Sequence, residues 1–172
     1  MAVASSAVEH RATRWGLFVG IAIAVVIVDQ LTKSWLVANV QPGGAIEIVG
    51  DWLRLIHGRN DGGLFGLFGG SAAVLAIASL GVIGLIVVYH ARARPSIVLS
   101  IALGLLLGGA IGNLLDRIRY GYVVDFVDAG IGTLRFYTFN VADSAISIAI
   151  LLLILLALFP ALGGAGSDPS DA

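Results

Sequence analysis

The chain has 172 residues, 58% of them hydrophobic and 12% charged, with 23 glycines, a net charge of -1 and a mean hydropathy of +0.97. Soluble domains carry roughly 25% charged residues, so this composition points to a polytopic membrane protein. No basic block suggests a nucleic-acid partner, and the absence of cysteine excludes disulfides, thiol nucleophiles, thiolate metal sites and lipidation of the chain's own cysteine.

Residues 1–14 are small and polar, with Arg11 and Arg14 just ahead of Trp15. A charged tail before an apolar run can open a signal peptide, but such runs last about 7–15 residues and end at small residues. Here the run continues from Trp15 to Val28 and on into Asp29-Gln-Leu-Thr-Lys33-Ser-Trp-Leu36, as a retained first transmembrane helix does. Asp29 and Lys33 stand at i, i+4 on one face and can pair. Lys33 also fits an interfacial anchor that snorkels outward. Asp29 lies deeper in the run, where an ionisable group marks a functional site.

A region that does not read as helix follows. Ala45-Ile-Glu-Ile-Val49 and Trp52-Leu-Arg-Leu-Ile56 alternate apolar and polar residues on either side of Gly50-Asp51, the pattern of a half-buried hairpin. His57-Gly-Arg-Asn60-Asp-Gly62-Gly63-Leu-Phe65-Gly66 then reads as a loop. Its glycines permit tight backbone, and the Asn60 amide both donates and accepts, as binding a peptide backbone requires; a plain surface loop is the bland alternative.

Three further runs, about Ser71–Tyr89, Ile97–Leu115 and Phe139–Phe159, reach the roughly 20 residues that cross hydrocarbon as helix. Gly81, Gly84, Gly104, Gly108, Gly109 and Gly112 inside them suit close helix contact. The fold class expected is thus an all-α polytopic membrane protein of four transmembrane helices with a small extracytoplasmic sheet and loop region. The domain expected is a four-helix unit over 15–159, between a cytoplasmic tail at 1–14 and a disordered cytoplasmic tail at 160–172. The basic residues divide poorly for this orientation by the positive-inside rule, but Arg11 and Arg14 flank the first helix, which commonly dominates.

Gly112-Asn113-Leu-Leu-Asp116-Arg117 closes the third span, with Asn113, Asp116 and Arg117 on one face. Pairing of Asp116 with Arg117 to fix the helix end is the structural reading. Asp125, in Gly121-Tyr-Val-Val-Asp125-Phe-Val-Asp128, falls in the loop after span three. Asp143, in Phe139-Asn140-Val-Ala-Asp143-Ser144, opens span four. Thr133-Leu-Arg-Phe-Tyr137 between them alternates as a short strand and can join the hairpin in one sheet at the membrane surface, where Trp52, Phe136 and Tyr137 suit the interface. If Asp125 and Asp143 meet in a dry site, both cannot ionise comfortably, and the pair holds one proton: a base and an acid for activating water against an amide carbonyl. Asp128, beside Ala129-Gly130, reads as solvated. The three histidines lie in separate segments with no metal-ligand spacing, Ser144 has no histidine base, and the glycine loops do not form a phosphate motif.

Taken together, Asp29-Gln-Leu-Thr-Lys33, Asn60-Asp-Gly-Gly-Leu-Phe65, Gly109-Ala-Ile-Gly-Asn113-Leu-Leu-Asp116-Arg117, Gly121-Tyr-Val-Val-Asp125-Phe and Phe139-Asn140-Val-Ala-Asp143-Ser resemble signal peptidase II, the bacterial lipoprotein signal peptidase. The resemblance covers roughly residues 15–159. It implies an intramembrane aspartic endopeptidase of the bacterial cytoplasmic (inner) membrane, with four helices, both termini cytoplasmic and the site near the outer surface. Its partners are membrane lipid and diacylglyceryl-modified prolipoproteins, cut before the lipidated cysteine; no cofactor is implied, and a monomer is expected. Asp125 and Asp143 match the catalytic pair. Asp29, Lys33, Asn60, Asn113, Asp116, Arg117 and Asn140 match supporting or substrate-lining positions. Gly62-Gly63-Leu64-Phe65 departs from the family's more usual alanines before the phenylalanine. That loop, with Trp52, is expected to form a lid over the substrate. A rival class is a small ion- or proton-translocating protein with Asp29, Asp116 and Asp143 as a relay; another is a non-catalytic scaffold.

Overall fold

A computed structural model describes residues 2–62, 72–93 and 95–163, with the backbone alone for 2–12. Along the chain run α1 (Ala2–Asn39), β1 (Ala45–Val49), β2 (Leu53–Asn60), α2 (Ala72–Arg92), α3 (Ile97–Tyr120), β3 (Val123–Ile131), β4 (Leu134–Arg135) and α4 (Val141–Leu158), then a 3-10 turn at Pro160–Gly163. By length and composition, Thr13–Asn39, Ala72–Arg92, Ile97–Tyr120 and Val141–Leu158 can each cross a membrane. The first helix begins at Ala2, so the backbone of the expected polar tail is helical.

The third span is the hub. Of its 24 residues 11 are buried, against two of the 21 in α2, which places α3 at the centre of the bundle and α2 at its edge. Glycine makes this possible: a methyl at Gly104 or Gly108 would stand 2.8 Å from the Phe18 or Ala22 carbonyl oxygen of α1. One at Gly109 would stand 2.5 Å from the Ala142 carbonyl oxygen of α4. Small residues thus let α1 and α4 pack directly on the α3 backbone. At Gly81 and Gly84 a methyl would meet nothing within 4 Å, so the close contact expected of these two is absent among the described residues.

The four strands form one antiparallel sheet in the order β1-β2-β3-β4. The hairpin falls where alternation placed it, but two stretches expected to be loops are strands. β2 continues through His57 to Asn60, and the segment after span three is β3, with Gly58 opposite Asp125 and Asn60 opposite Val123. Gly121, at φ 76°, ends α3 in the left-handed conformation and turns the chain into β3. The expected strand at 133–137 shrinks to Leu134–Arg135, although the connector still bonds to β3: Phe136 N–H to the Ala129 carbonyl at 2.7 Å, and Val127 N–H to the Phe139 carbonyl at 2.8 Å. Leu36 of α1 and Val40 just past its end pack with Val124 and Phe126 of β3.

Candidate active site

The polar side chains of α1, α3 and α4 gather at one end of the bundle, where β3 and the connector to α4 close over them. At their centre Lys33, 2% exposed, lies 2.8 Å from Asp29 and 2.9 Å from Asp116, both fully buried. Gln30 ties the acids together, donating to Asp29 at 3.2 Å and Asp116 at 3.0 Å. Each acid has one more task. Asp116 accepts the Val124 N–H at 3.0 Å, and Asp29 accepts the Ala142 N–H at 3.0 Å. Those amides belong to the residues immediately before Asp125 and Asp143. The second is also one of the orphan N–H groups in the first turn of α4, whose positive end suits a carboxylate. One buried ammonium and two carboxylates therefore set the backbone at both candidate catalytic positions.

Two asparagines complete the frame. Asn140 caps α4, its side chain accepting the Asp143 N–H at 2.9 Å while the Asp143 carboxylate accepts the Asn140 N–H at 3.2 Å, a reciprocal capping box. The Asn140 amide donates to Asp125 at 2.7 Å, and Asn60, from the end of β2, donates to its other oxygen at 2.9 Å. Asn113 donates to Asp143 at 2.8 Å and accepts from Lys33 at 3.1 Å and Asn140 at 3.2 Å. Asp125 and Asp143 are thus joined through Asn140, and each keeps a partner on a separate element.

Burial and the nearby Asp143 charge push the Asp125 carboxyl up to about 6, against the pull of the Asn60 and Asn140 amides and of Lys33. A carboxyl poised there exchanges its proton readily near neutral pH, as acid–base work on a peptide bond requires.

All nine residues singled out from the sequence come to this end of the molecule. Three readings change. Asp116 pairs with Lys33, not with Arg117, whose guanidinium donates to the Asn113 carbonyl at 3.3 Å and lies within electrostatic reach of Asp143, Asp116 and Asp125. Lys33 is enclosed and does not snorkel. Asp128 is not solvated: it is 3% exposed, with Arg54 at 2.6 Å and Arg135 at 2.6 Å. Sequence reasoning missed Gln30, although it stands inside the quoted motif; its polarity next to Asp29 in an apolar run was the available signal. Of the expected lid, residues 63–70 lie outside the described part, and Trp52 sits at the opposite end of the sheet from Asp125, about 20 Å along β2 from Gly58 at ~3.3 Å per residue.

Four membrane-length helices, with one carboxylate from the start of α4 and one from β3 tied together through Asn140, define an integral-membrane protein with a candidate acid–base site at one end of its bundle. Over residues 21–159 the chain matches the family described as signal peptidase (SPase) II. It is 42% identical over 149 residues to a lipoprotein signal peptidase of Geobacillus kaustophilus, covering 86% of this chain and 97% of that one. To one of Dehalococcoides mccartyi it is 39% identical over 167 residues, covering 92% and 98%. A bacterial membrane enzyme solved by the in meso method at 2.3 Å superposes with a TM-score of 0.78 at 31% identity, covering 89% of this chain and 93% of that one. The chain belongs to the signal peptidase II family.

Proposed function

We propose that this protein is an aspartic endopeptidase of the bacterial cytoplasmic membrane that removes signal peptides from diacylglyceryl-modified prolipoproteins, cutting before the lipidated cysteine. The observation that carries the chemistry is the frame around Asp125 and Asp143: two carboxylates from different elements, joined through Asn140, one of them pushed up to about 6. The lipoprotein signal peptidases to which the chain is similar supply the substrate class.

In this reading the pair holds one proton. The ionised carboxylate takes a proton from water as its oxygen attacks the carbonyl carbon, while the protonated partner gives its proton to the carbonyl oxygen. The tetrahedral intermediate collapses as a proton passes to the cysteine amide nitrogen, the C–N bond breaks, and the new carboxyl and amine ends separate. Asn60, Asn113 and Asn140 keep both carboxylates in place; Asp29, Lys33 and Asp116 position them through the backbone, and Arg117 adds positive potential at the edge of the site.

The reading further places the sheet and the site on the outer face, both termini in the cytoplasm, the peptidase unit over 15–159 between two tails, and a monomer in the bilayer. Water enters from outside, and the substrate arrives laterally with its acyl chains against apolar helix faces. The test uses purified protein in detergent or lipid with a diacylglyceryl-modified prolipoprotein, following loss of the signal peptide by gel shift. Wild type cleaves; Asp125→Asn and Asp143→Asn bind substrate and do not. Full turnover by either variant overturns the assignment.

A further inference from the structure

Arg54 and Asn60 of β2 each serve an aspartate of β3: Arg54 reaches Asp128 at 2.6 Å, and the Asn60 amide donates to Asp125 at 2.9 Å. Their spacings do not agree. Arg54 and Asn60 stand six residues apart, an even number that puts both on one face of an unbroken strand, whereas Asp125 and Asp128 stand three apart and face opposite ways. One extra residue must therefore be taken up between the two pairings. The register shows where: β2 advances three residues from Leu55 to Gly58 while β3 advances two from Val127 to Asp125, a bulge at Ile56 and His57.

Two residues hold the bulge. The His57 Nδ1–H donates to the carbonyl of Val40, just past the end of α1, at 2.8 Å and ties the bulged chain to the bundle. Gly58 then pairs with Asp125 so closely that a methyl in its place would stand 2.6 Å from the Asp125 carbonyl oxygen, an approach that glycine alone allows. Past the bulge the faces are exchanged. Asn60 looks toward Asp125, while Arg59 lies on the other side, its guanidinium 4.5 Å from the centre of the Tyr122 ring and paired with Asp61. Run through without the bulge, the same strand would set His57 opposite Asp125 and Arg59 opposite Val123, turning Arg59 and not Asn60 to the Asp125 face. Asp128 shows what such a partner does: Arg135 and Arg54 hold its carboxyl below the ordinary range.

We propose that the bulge, pinned by His57 and closed by Gly58, is a positioning device for the acid–base pair: it gives Asp125 the neutral amide of Asn60 and keeps the neighbouring guanidinium of Arg59 on the opposite face. His57 and Gly58 act through Asn60 and the Asp125 backbone and touch no reacting atom. The purpose rests on the proposed function, because a carboxylate paired with a guanidinium would not share a proton with Asp143 near neutral pH. The register itself does not depend on turnover.

The chain has no cysteine, so a cross-strand disulfide reads the register directly in the purified protein. Arg59→Cys/Val124→Cys, the observed pair, crosslinks on mild oxidation, and Arg59→Cys/Val123→Cys does not. Adding His57→Phe or Gly58→Ala moves crosslinking toward the second pair. Crosslinking that stays with the first pair in both backgrounds overturns the proposal, and so does loss of fold in both, which would make these residues determinants of folding and not of partner choice. Cleavage of lipidated substrate supplies the second readout. His57→Phe lowers turnover at pH 7 by about tenfold, the worth of one internal hydrogen bond, and displaces to lower pH the limb that Asp125 sets at about 6. His57→Phe/Arg59→Gln, which offers Asp125 an amide in either register, recovers most of both, and His57→Gln, which keeps an N–H for Val40, matches wild type. A loss that Arg59→Gln does not relieve overturns the proposal. A wild type that cleaves no lipidated substrate sinks the proposed function and leaves the crosslinking test of the register intact.

Discussion

Asp125 and Asp128 stand three residues apart on β3, 2% and 3% exposed, and are driven in opposite directions. Burial and the Asp143 charge push Asp125 up to about 6, while Arg135 and Arg54 hold Asp128 below the ordinary carboxylate range. The difference lies in the partners. Asp125 receives neutral amides from Asn60 and Asn140, which fix its position without neutralising it. Asp128 receives two guanidiniums, which bind its charge and remove any use for its proton. A buried carboxylate becomes an acid–base group or a structural tie according to what faces it.

The largest effect on this contrast comes from the buried ammonium beneath the inner end of β3. Lys33→Met removes the ammonium that the fully buried Asp29 and Asp116 both contact, a defect of about 3–5 kcal/mol. Thermal unfolding in detergent shows this as a large loss of stability, and turnover falls with it, because the amides before Asp125 and Asp143 lose their fixed acceptors. Lys33→Met/Asp29→Asn recovers part of the stability. Equal stability of Lys33→Met and wild type would show that the knot does not hold the site.

Next in size is the pH dependence of stability. A folded-state value near 6 for Asp125, against 3.8 without the fold, means that the native state binds more protons than the unfolded one between these limits. Its contribution is whole below about pH 4 and is lost as pH rises through about 6, on the order of 3 kcal/mol. Midpoints measured from pH 4 to 8 fall over that window in wild type, and the fall is reduced in Asp125→Asn.

Gly112→Ala tests the same region by shape. Its methyl would stand 2.7 Å from the Asp29 carboxylate and 3.3 Å from Ala142, displacing a group that holds α4; overpacking of this kind costs about 1–3 kcal/mol. The control is Gly81→Ala, where the methyl meets nothing and stability is unchanged or slightly raised.

The sequence was most informative where one helix carried the signal. Four apolar runs, the i, i+4 spacing of Asp29 and Lys33 and the shared face of Asn113, Asp116 and Arg117 are local periodicities, and the structure realises each. The sheet was half legible. Alternation revealed β1 and the start of β2, but His57-Gly58-Arg59-Asn60 looks like a turn because what makes it a strand, the pairing of Gly58, Arg59 and Asn60 with β3 and of the Asn60 amide with Asp125, lies far off in sequence. Asp128 was misread for a related reason: its partners come from β2 and β4, and cross-strand register leaves no mark in composition. The bond from Asp29 to the Ala142 amide spans 113 residues and was equally invisible.

The smallest effect is expected at the outer end of β3. Asp128→Asn keeps the shape and one acceptor but removes the charge held by Arg54 and Arg135, which are themselves partly open to solvent. Screening limits the loss to on the order of 1 kcal/mol at neutral pH. The sign with pH is opposite to that of Asp125. Because the folded state holds Asp128 below its ordinary value, its contribution is present above about pH 4 and disappears as pH falls through the folded value. Wild type and Asp128→Asn therefore differ modestly at pH 7 and converge in acid, and added salt narrows the gap at pH 7. Turnover stays close to wild type, since Asp128 and its two arginines lie toward the other end of the strand from the Asp125 site. A turnover loss matching that of Asp125→Asn would break the contrast and make both ends of β3 part of one site.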